Sequence, residues 1–269
     1  MKKSGIPYLM YHELEVSGRA LQLNEPGYVH YVVREEDFSA QLRSMSADGL
    51  RGISVTEALE RNQHGVVCIT FDDGSETDLL VAAPLLMEVG YGATFYLVAG
   101  FVNRPGYLSA SQARELSGLG FEIGSHSMTH SFLPNLNDKS LRTEIFDSKD
   151  RLEQLIGSRI EHFSCPGGRW QSRISELAKA AGYASVVTSE IGTNSELTDR
   201  YRLKRLAVFR ETTARDFLEL CNGENLLSRR VRNSVLTLAK EMFGDAMYDR
   251  IRSGLFRNRK LPQSTPRNT

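Results

Sequence analysis

Short apolar runs rich in β-branched and aromatic residues recur along the chain, at Ile6–Tyr11, Val66–Phe71, 93–98, 121–123, 162–165, Ser185–Val187 and 206–209. Each reads as a strand. Helical patterns fill the spaces between them. Phe38, Leu42 and Met45 recur at helical spacing on one face, and Leu141, Ile145, Leu152 and Leu155 mark a longer helix. Ile174, Leu177, Ala178 and Ala181 mark another, stopped by Gly182. Ser54-x-x-Glu57 and Ser109-x-x-Gln112 read as capping-box helix starts. Strands alternating with helices imply parallel strands joined by helical crossovers. A closed barrel and an open doubly wound sheet both satisfy that pattern.

Composition narrows the class. The 269 residues carry 33 basic and 33 acidic side chains and 41% hydrophobic residues, with mean hydropathy -0.32. Those values belong to an ordinary globular chain. A net charge of zero argues against nucleic-acid binding, which leaves a basic excess. No apolar run reaches the ~18–20 residues that span a bilayer. Met1-Lys2-Lys3 is basic like a leader, but the apolar stretch after it contains Pro7 and soon meets His12 and Glu13, so no signal peptide is read. Cys68, Cys165 and Cys221 are odd in number and widely spaced, which suits a reducing compartment. These features together lead us to expect a cytoplasmic protein.

The polar residues of interest follow the apolar runs. His12 follows the first, Asp72 and Asp73 the second, His126 and His130 another, and Pro166-Gly167-Gly168 another still. The C-terminal ends of parallel strands form the site face of α/β folds, so these segments are expected to meet at one rim. Thr70-Phe71-Asp72-Asp73-Gly74 places two carboxylates side by side, which a cation or a division of labour would relieve. Alone, it also reads as a solvated turn. His126-Ser127-Met128-Thr129-His130 spaces two imidazoles four apart, on one face of a helical turn, where they can share a metal. One Asp with two His leaves a coordination position open, the arrangement of a catalytic zinc-type site.

With both motifs intact, the sequence resembles the polysaccharide deacetylase family (carbohydrate esterase family 4). It is most similar to the poly-N-acetylglucosamine deacetylase branch, whose start resembles Pro7-Tyr8-Leu9-Met10-Tyr11-His12. The resemblance spans roughly residues 7 to 217. It implies a deformed (β/α) barrel of about seven parallel strands. It also implies an enzyme that hydrolyses the N-acetyl amide of an amino sugar in a polysaccharide, oligosaccharide or glycan precursor. A deformylase of a lipid-linked amino sugar and a non-catalytic carbohydrate-binding relative are the alternatives.

Family roles carry over to matching residues. Asp73, His126 and His130 would hold one divalent ion, zinc first, with cobalt, nickel or iron also compatible. Asp72 would be the base toward the attacking water, and the N–H of Gly167, after Pro166, an oxyanion donor. The family's usual C-terminal histidine acid has no counterpart, because no histidine follows His162. His12 takes that role, as in the branch just named. The third motif reads Ser164-Cys165-Pro166-Gly167-Gly168, with Ser164 where relatives carry an arginine against the base. Asp72 is therefore expected to rely on the ion and other donors. Trp170, with Arg169, reads either as a sugar-stacking wall or as packing. His30, His64 and His162 read as structural or surface, and Cys165 as a small buried filler.

The expected organisation is a catalytic domain over 1–220 and a basic helical extension over 221–269, whose tail frays from about Leu261. The extension holds 10 Lys/Arg against 4 Asp/Glu, interleaved with apolar residues. Such a pattern packs on its own domain or lies on the anionic inner membrane surface as a peripheral contact.

Overall fold

The computed structural model describes residues 5–60 and 64–231. The strands used below are β1 (Ile6–Tyr11), β2 (Arg51–Ile53), β3 (Val66–Phe71), β4 (Thr94–Leu97), β5 (Glu122–Ser125), β6 (His162–Ser164), β7 (Ser185–Val187) and β8 (Leu206–Ala207). The helices used below are α1 (Glu35–Ala47), α2 (Val55–Glu60), α3 (Ala83–Glu88), α4 (Ala110–Gly118), α5 (Asp138–Arg142), α6 (Ser148–Ile156), α7 (Ser172–Ala180) and α8 (Ala214–Cys221).

The strands run in parallel in the order β1-β3-β4-β5-β6-β7; β8 also pairs in parallel with β1, at Leu9 and Met10, and Thr193–Asn194 pairs antiparallel with the start of β1. Segment 203–207 bridges β7 to β1: Leu203 N–H donates to Val186 O (2.9 Å) and Thr188 N–H to Leu203 O (2.8 Å), while Leu206 and Ala207 pair with Leu9 and Met10. The sheet therefore curls into the deformed (β/α) barrel that the resemblance implies. The choice between barrel and open sheet is settled by this closing segment, which has too few residues to show a periodicity.

All six residues of β1 and all six of β3 are buried. Helices cover a parallel sheet on its outer face, so its central strands have no solvated side. Register aligns Tyr11 with Phe71 and Phe71 with Phe95. Their rings stack at 5.1 and 4.9 Å between centroids, forming an aromatic floor. His12 and Asp72, the next residues of β1 and β3, stand on that floor. Asp72 N–H donates to Tyr11 O at 2.9 Å, holding the two strand ends together.

Both capping boxes form. Ser54 and Glu57 exchange bonds at the start of α2, and Ser109 and Gln112 do so at α4. The predicted long helix is α5 and α6 joined by a π-helical turn, Thr143–Asp147. Strand β2 and helix α8 had no distinct sequence signal. The chain divides into a unit over 1–224 and a second over 225–269. Most of the predicted basic extension, from residue 232 onward, lies outside the described residues. No described helix is long and apolar enough to cross a membrane.

Candidate active site

The rim residues converge at the C-terminal ends of the strands. Asp73, His126 and His130 each offer a ligand atom, all within 4.8 Å of one another. His130 Nε2 is 3.3 Å and His126 Nε2 3.5 Å from Asp73 Oδ1. Donors ~2.0–2.1 Å from a tetrahedral ion are themselves separated by roughly 3.3 Å, so this spacing matches a single ion of that kind. Asp73 Oδ1 is buried yet accepts no hydrogen bond. A buried, unsatisfied carboxylate oxygen facing two imidazole nitrogens is a donor set awaiting a cation.

His126 is buried, and its Nδ1 lies 2.9 Å from Ser164 O. A carbonyl only accepts, so Nδ1 carries the proton and the Nε2 lone pair faces the cluster. Burial lowers the His126 pKa to about 4, against the opposing pull of Asp72. The ring is therefore neutral near pH 7, as a ligand must be.

The two histidines do not share a helical turn, which corrects the sequence expectation. Residues 126–130 form an irregular loop, with Ser127 at φ 68 and His130 at φ 62. Asp73 has φ 80. Three of the non-glycine residues with left-handed backbone thus lie in the two motifs. Such strain persists where surrounding structure over-determines it, and it gathers at functional sites.

Asp72 is buried, and its partner is Arg205. Arg205 Nη1 donates to Oδ1 at 2.8 Å and Nη2 to Oδ2 at 2.7 Å. The remaining guanidinium bonds go to Thr188 O (2.9 Å), Thr70 Oγ1 (3.3 Å) and Ser164 Oγ (2.9 Å). All five N–H groups are used. Burial alone would raise the Asp72 pKa; the Arg205 charge, then His126 and the Arg205 hydrogen bonds, hold it well below the usual carboxylate range. The expectation that Ser164 leaves the base without an arginine is therefore corrected. A small serine makes room for a guanidinium arriving from the barrel-closing segment.

His12 sits at the same rim, with its ring 4.8 Å from Tyr31. Its Nδ1 is buried without a hydrogen-bond partner. Burial lowers its pKa, and Asp73 and Asp72 push the other way. Asp78, unmarked by any motif, is fully buried with neither oxygen hydrogen-bonded. Burial, then Asp73 and Glu13, raise its pKa well above the ordinary value. The two buried carboxyls, Asp72 and Asp78, are thus shifted in opposite directions.

Pro166, Gly167 and Gly168 form a tight turn above β6, with Gly167 at φ 61 and Gly168 at φ 67. A Cβ on Gly168 would lie 2.0 Å from Ser189 Oγ, so only glycine fits there. Beside exposed Gly167 stands Phe132, itself exposed, with the Arg169 guanidinium 4.4 Å from its ring centre. The indole N–H of Trp170 donates to Tyr201 O at 2.9 Å and Ser175 Oγ at 2.8 Å, and Arg202 covers its ring at 4.4 Å. Trp170 is held in a packing arrangement, and Phe132, with Arg169 over its ring, is the exposed aromatic next to Gly167. Cys165 is buried, its thiol pKa raised to about 12 by burial. His30 pairs with Glu211 at 3.0 Å and His162 with Thr56 at 2.8 Å, each away from the cluster.

Fold and site together define a deformed (β/α) barrel with an aspartate–dihistidine cluster and an arginine-held carboxylate at its C-terminal rim. Residues 60–186 match the family model for polysaccharide deacetylases. It is 27% identical over 213 residues to YxkH of Bacillus subtilis (strain 168), a protein named for the polysaccharide deacetylases, covering 77% of this chain and 72% of that one. It is 33% identical over 129 residues to the peptidoglycan-N-acetylglucosamine deacetylase of Bacillus cereus, covering 48% of this chain and 58% of the relative. The solved structure of the Streptococcus pyogenes deacetylase PplD in complex with acetate superposes with TM-score 0.72 at 25% identity, covering 82% of this chain and 99% of that one.

Proposed function

We propose that this protein hydrolyses the N-acetyl amide of an amino sugar, N-acetylglucosamine first among them, within a glycan or glycan precursor. The observation that carries the reading is the Asp73–His126–His130 cluster beside an Asp72 carboxylate that Arg205 keeps ionised. A binding module has no need of a base held in that state.

Asp73, His126 and His130 would hold the divalent ion, zinc in this proposal. When bound, that ion supplies Lewis acidity, polarising the acyl oxygen and acidifying water. Asp72 takes the proton of the attacking water as the new C–O bond forms. The Gly167 N–H donates to the developing oxyanion. His12 delivers a proton to the sugar nitrogen as the C–N bond breaks, releasing acetate and the amine. Burial makes a charged His12 a stronger acid than an exposed imidazole, which suits protonation of a poor leaving group. Phe132 lines the approach to Gly167, where an aromatic face can meet a sugar ring.

The test is acyl release from N-acetyl and N-formyl glucosamine oligomers and lipid-linked amino sugars by zinc-loaded protein. Asp72→Asn is expected to bind zinc and lose turnover; a wild-type rate would remove Asp72 from the base role. His12→Ala is expected to lose at least ~100-fold in kcat, the scale of a missing general acid. An unchanged rate would assign the acid elsewhere.

A further inference from the structure

Glu144 belongs to no motif, yet it is buried directly under the histidine loop. It lies in the π-helical turn Thr143–Asp147. Such turns widen a helix by one residue and redirect a side chain, and they are frequent at functional sites. Glu144 Oε2 accepts from the backbone N–H of Met128 (2.9 Å) and of Thr129 (2.9 Å). Its Oε1 accepts from Thr129 Oγ1 at 2.5 Å. Among the described residues no Lys, Arg or His forms an ion pair with it. A buried carboxylate is costly without partners. Here all its partners come from two consecutive residues lying between the two histidine ligands.

The same helical segment grips the loop a second time. Ser148 Oγ donates to Glu144 O at 2.7 Å, and Ser125 Oγ donates to Ser148 Oγ at 3.0 Å. Ser125 immediately precedes His126. On the other side, Gly100 N–H donates to Met128 O at 2.8 Å, and Ser127 Oγ accepts from His130 N–H at 3.1 Å. Two non-glycine residues of this loop sit at positive φ. Each such residue costs on the order of 1–3 kcal/mol and relaxes unless the surroundings hold it. The Glu144 side chain clamps that backbone through three hydrogen bonds to two consecutive residues.

We propose that Glu144 is the positioning residue of the ion cluster: it fixes the Met128–Thr129 backbone and thereby sets His126 and His130 at ligand spacing. The inference rests on the reading of Asp73, His126 and His130 as an ion site. It concerns geometry, not charge. A glutamine can place its carbonyl oxygen at the Oε2 position, accept the same two N–H groups and donate its amide to Thr129 Oγ1.

The test is zinc affinity, measured by competition with a chromophoric chelator on the full chain, at a temperature where every variant is folded by circular dichroism. Glu144→Ala is expected to weaken zinc binding ~10–100-fold, the scale of losing an outer support of a metal ligand. Glu144→Gln is expected to bind like wild type. Thr129→Val removes one of the three bonds to Glu144, together with the Thr129–Ser131 hydroxyl contact, keeps the variant series informative if the alanine variant fails to fold, and is expected to show a smaller loss. A Glu144→Ala protein that binds zinc as tightly as wild type overturns the proposal. So does a Glu144→Gln or Thr129→Val series that does not follow the number of retained bonds. If wild type itself binds no zinc, the ion-site reading fails first, and that result is distinct from the others.

Discussion

The Asp72–Arg205 pair decides what the rim can do. Neither side chain is appreciably exposed, at 3% and 0%. Removing one partner of such a pair leaves an uncompensated buried charge, which costs about 3–5 kcal/mol. Arg205→Met is therefore expected to lower the melting temperature by several degrees. It has a second consequence with a definite sign. Without the guanidinium the Asp72 pKa rises, so the carboxylate protonates at higher pH. The acid limb of the kcat/KM profile is then expected to move upward in pH; a profile lost in amplitude but unmoved would contradict the pairing. At this scale the sequence pointed to His12, Asp72, Asp73, His126 and His130 as candidates, because motif residues lie next to one another and at strand ends. Arg205 was hidden because it stands 133 positions from Asp72, in a segment that carries no motif. Phe132 and Glu144 were hidden for the same kind of reason. Their roles exist only through contacts that cross the chain.

Elements were legible where a period was present. The runs at Ile6–Tyr11, Val66–Phe71 and Ser185–Val187 are strands with those bounds. The histidine loop was misread as a helical turn because i, i+4 spacing is shared by helices and by loops whose backbone doubles back through positive φ. Another element-level device was invisible: Glu122, at the start of β5, caps α2 from a distance. It accepts from Val55 N–H at 3.1 Å, Thr56 N–H at 3.3 Å and Thr94 Oγ1 at 2.5 Å, and lies 3.3 Å from His162 Nε2. Burial would raise its pKa, but His162 and the Thr56 and Thr94 hydroxyls lower it below the ordinary value. A depressed carboxyl pKa stabilises the fold above the unfolded value of ~4.3, and that contribution is lost as pH falls through the folded value. Glu122→Gln is expected to be less stable than wild type at pH 7, with the gap closing below about pH 4. Urea midpoints measured across that range check it, and a gap that stays constant with pH would contradict it.

At the scale of the whole molecule, parallel register gathers the site. Because Tyr11 aligns with Phe71, the next residues of both strands meet at one end of the barrel. Segment 203–207 closes the curl and delivers Arg205 in the same stroke. All groups given a role here lie between His12 and Arg205, inside the unit 1–224. A chain ending at Glu224 is accordingly expected to keep the wild-type deacetylation rate, and a large loss would show that the remaining residues contribute to the site. The central claim is that one divalent ion is held by Asp73, His126 and His130. X-ray absorption at the zinc edge, on protein loaded with one equivalent of zinc, tests it most directly. The expected spectrum has nitrogen and oxygen ligands only, at ~2.0–2.1 Å, with the outer-ring signature of two imidazoles. Zinc that washes off, or a sulfur ligand at ~2.3 Å, would contradict it.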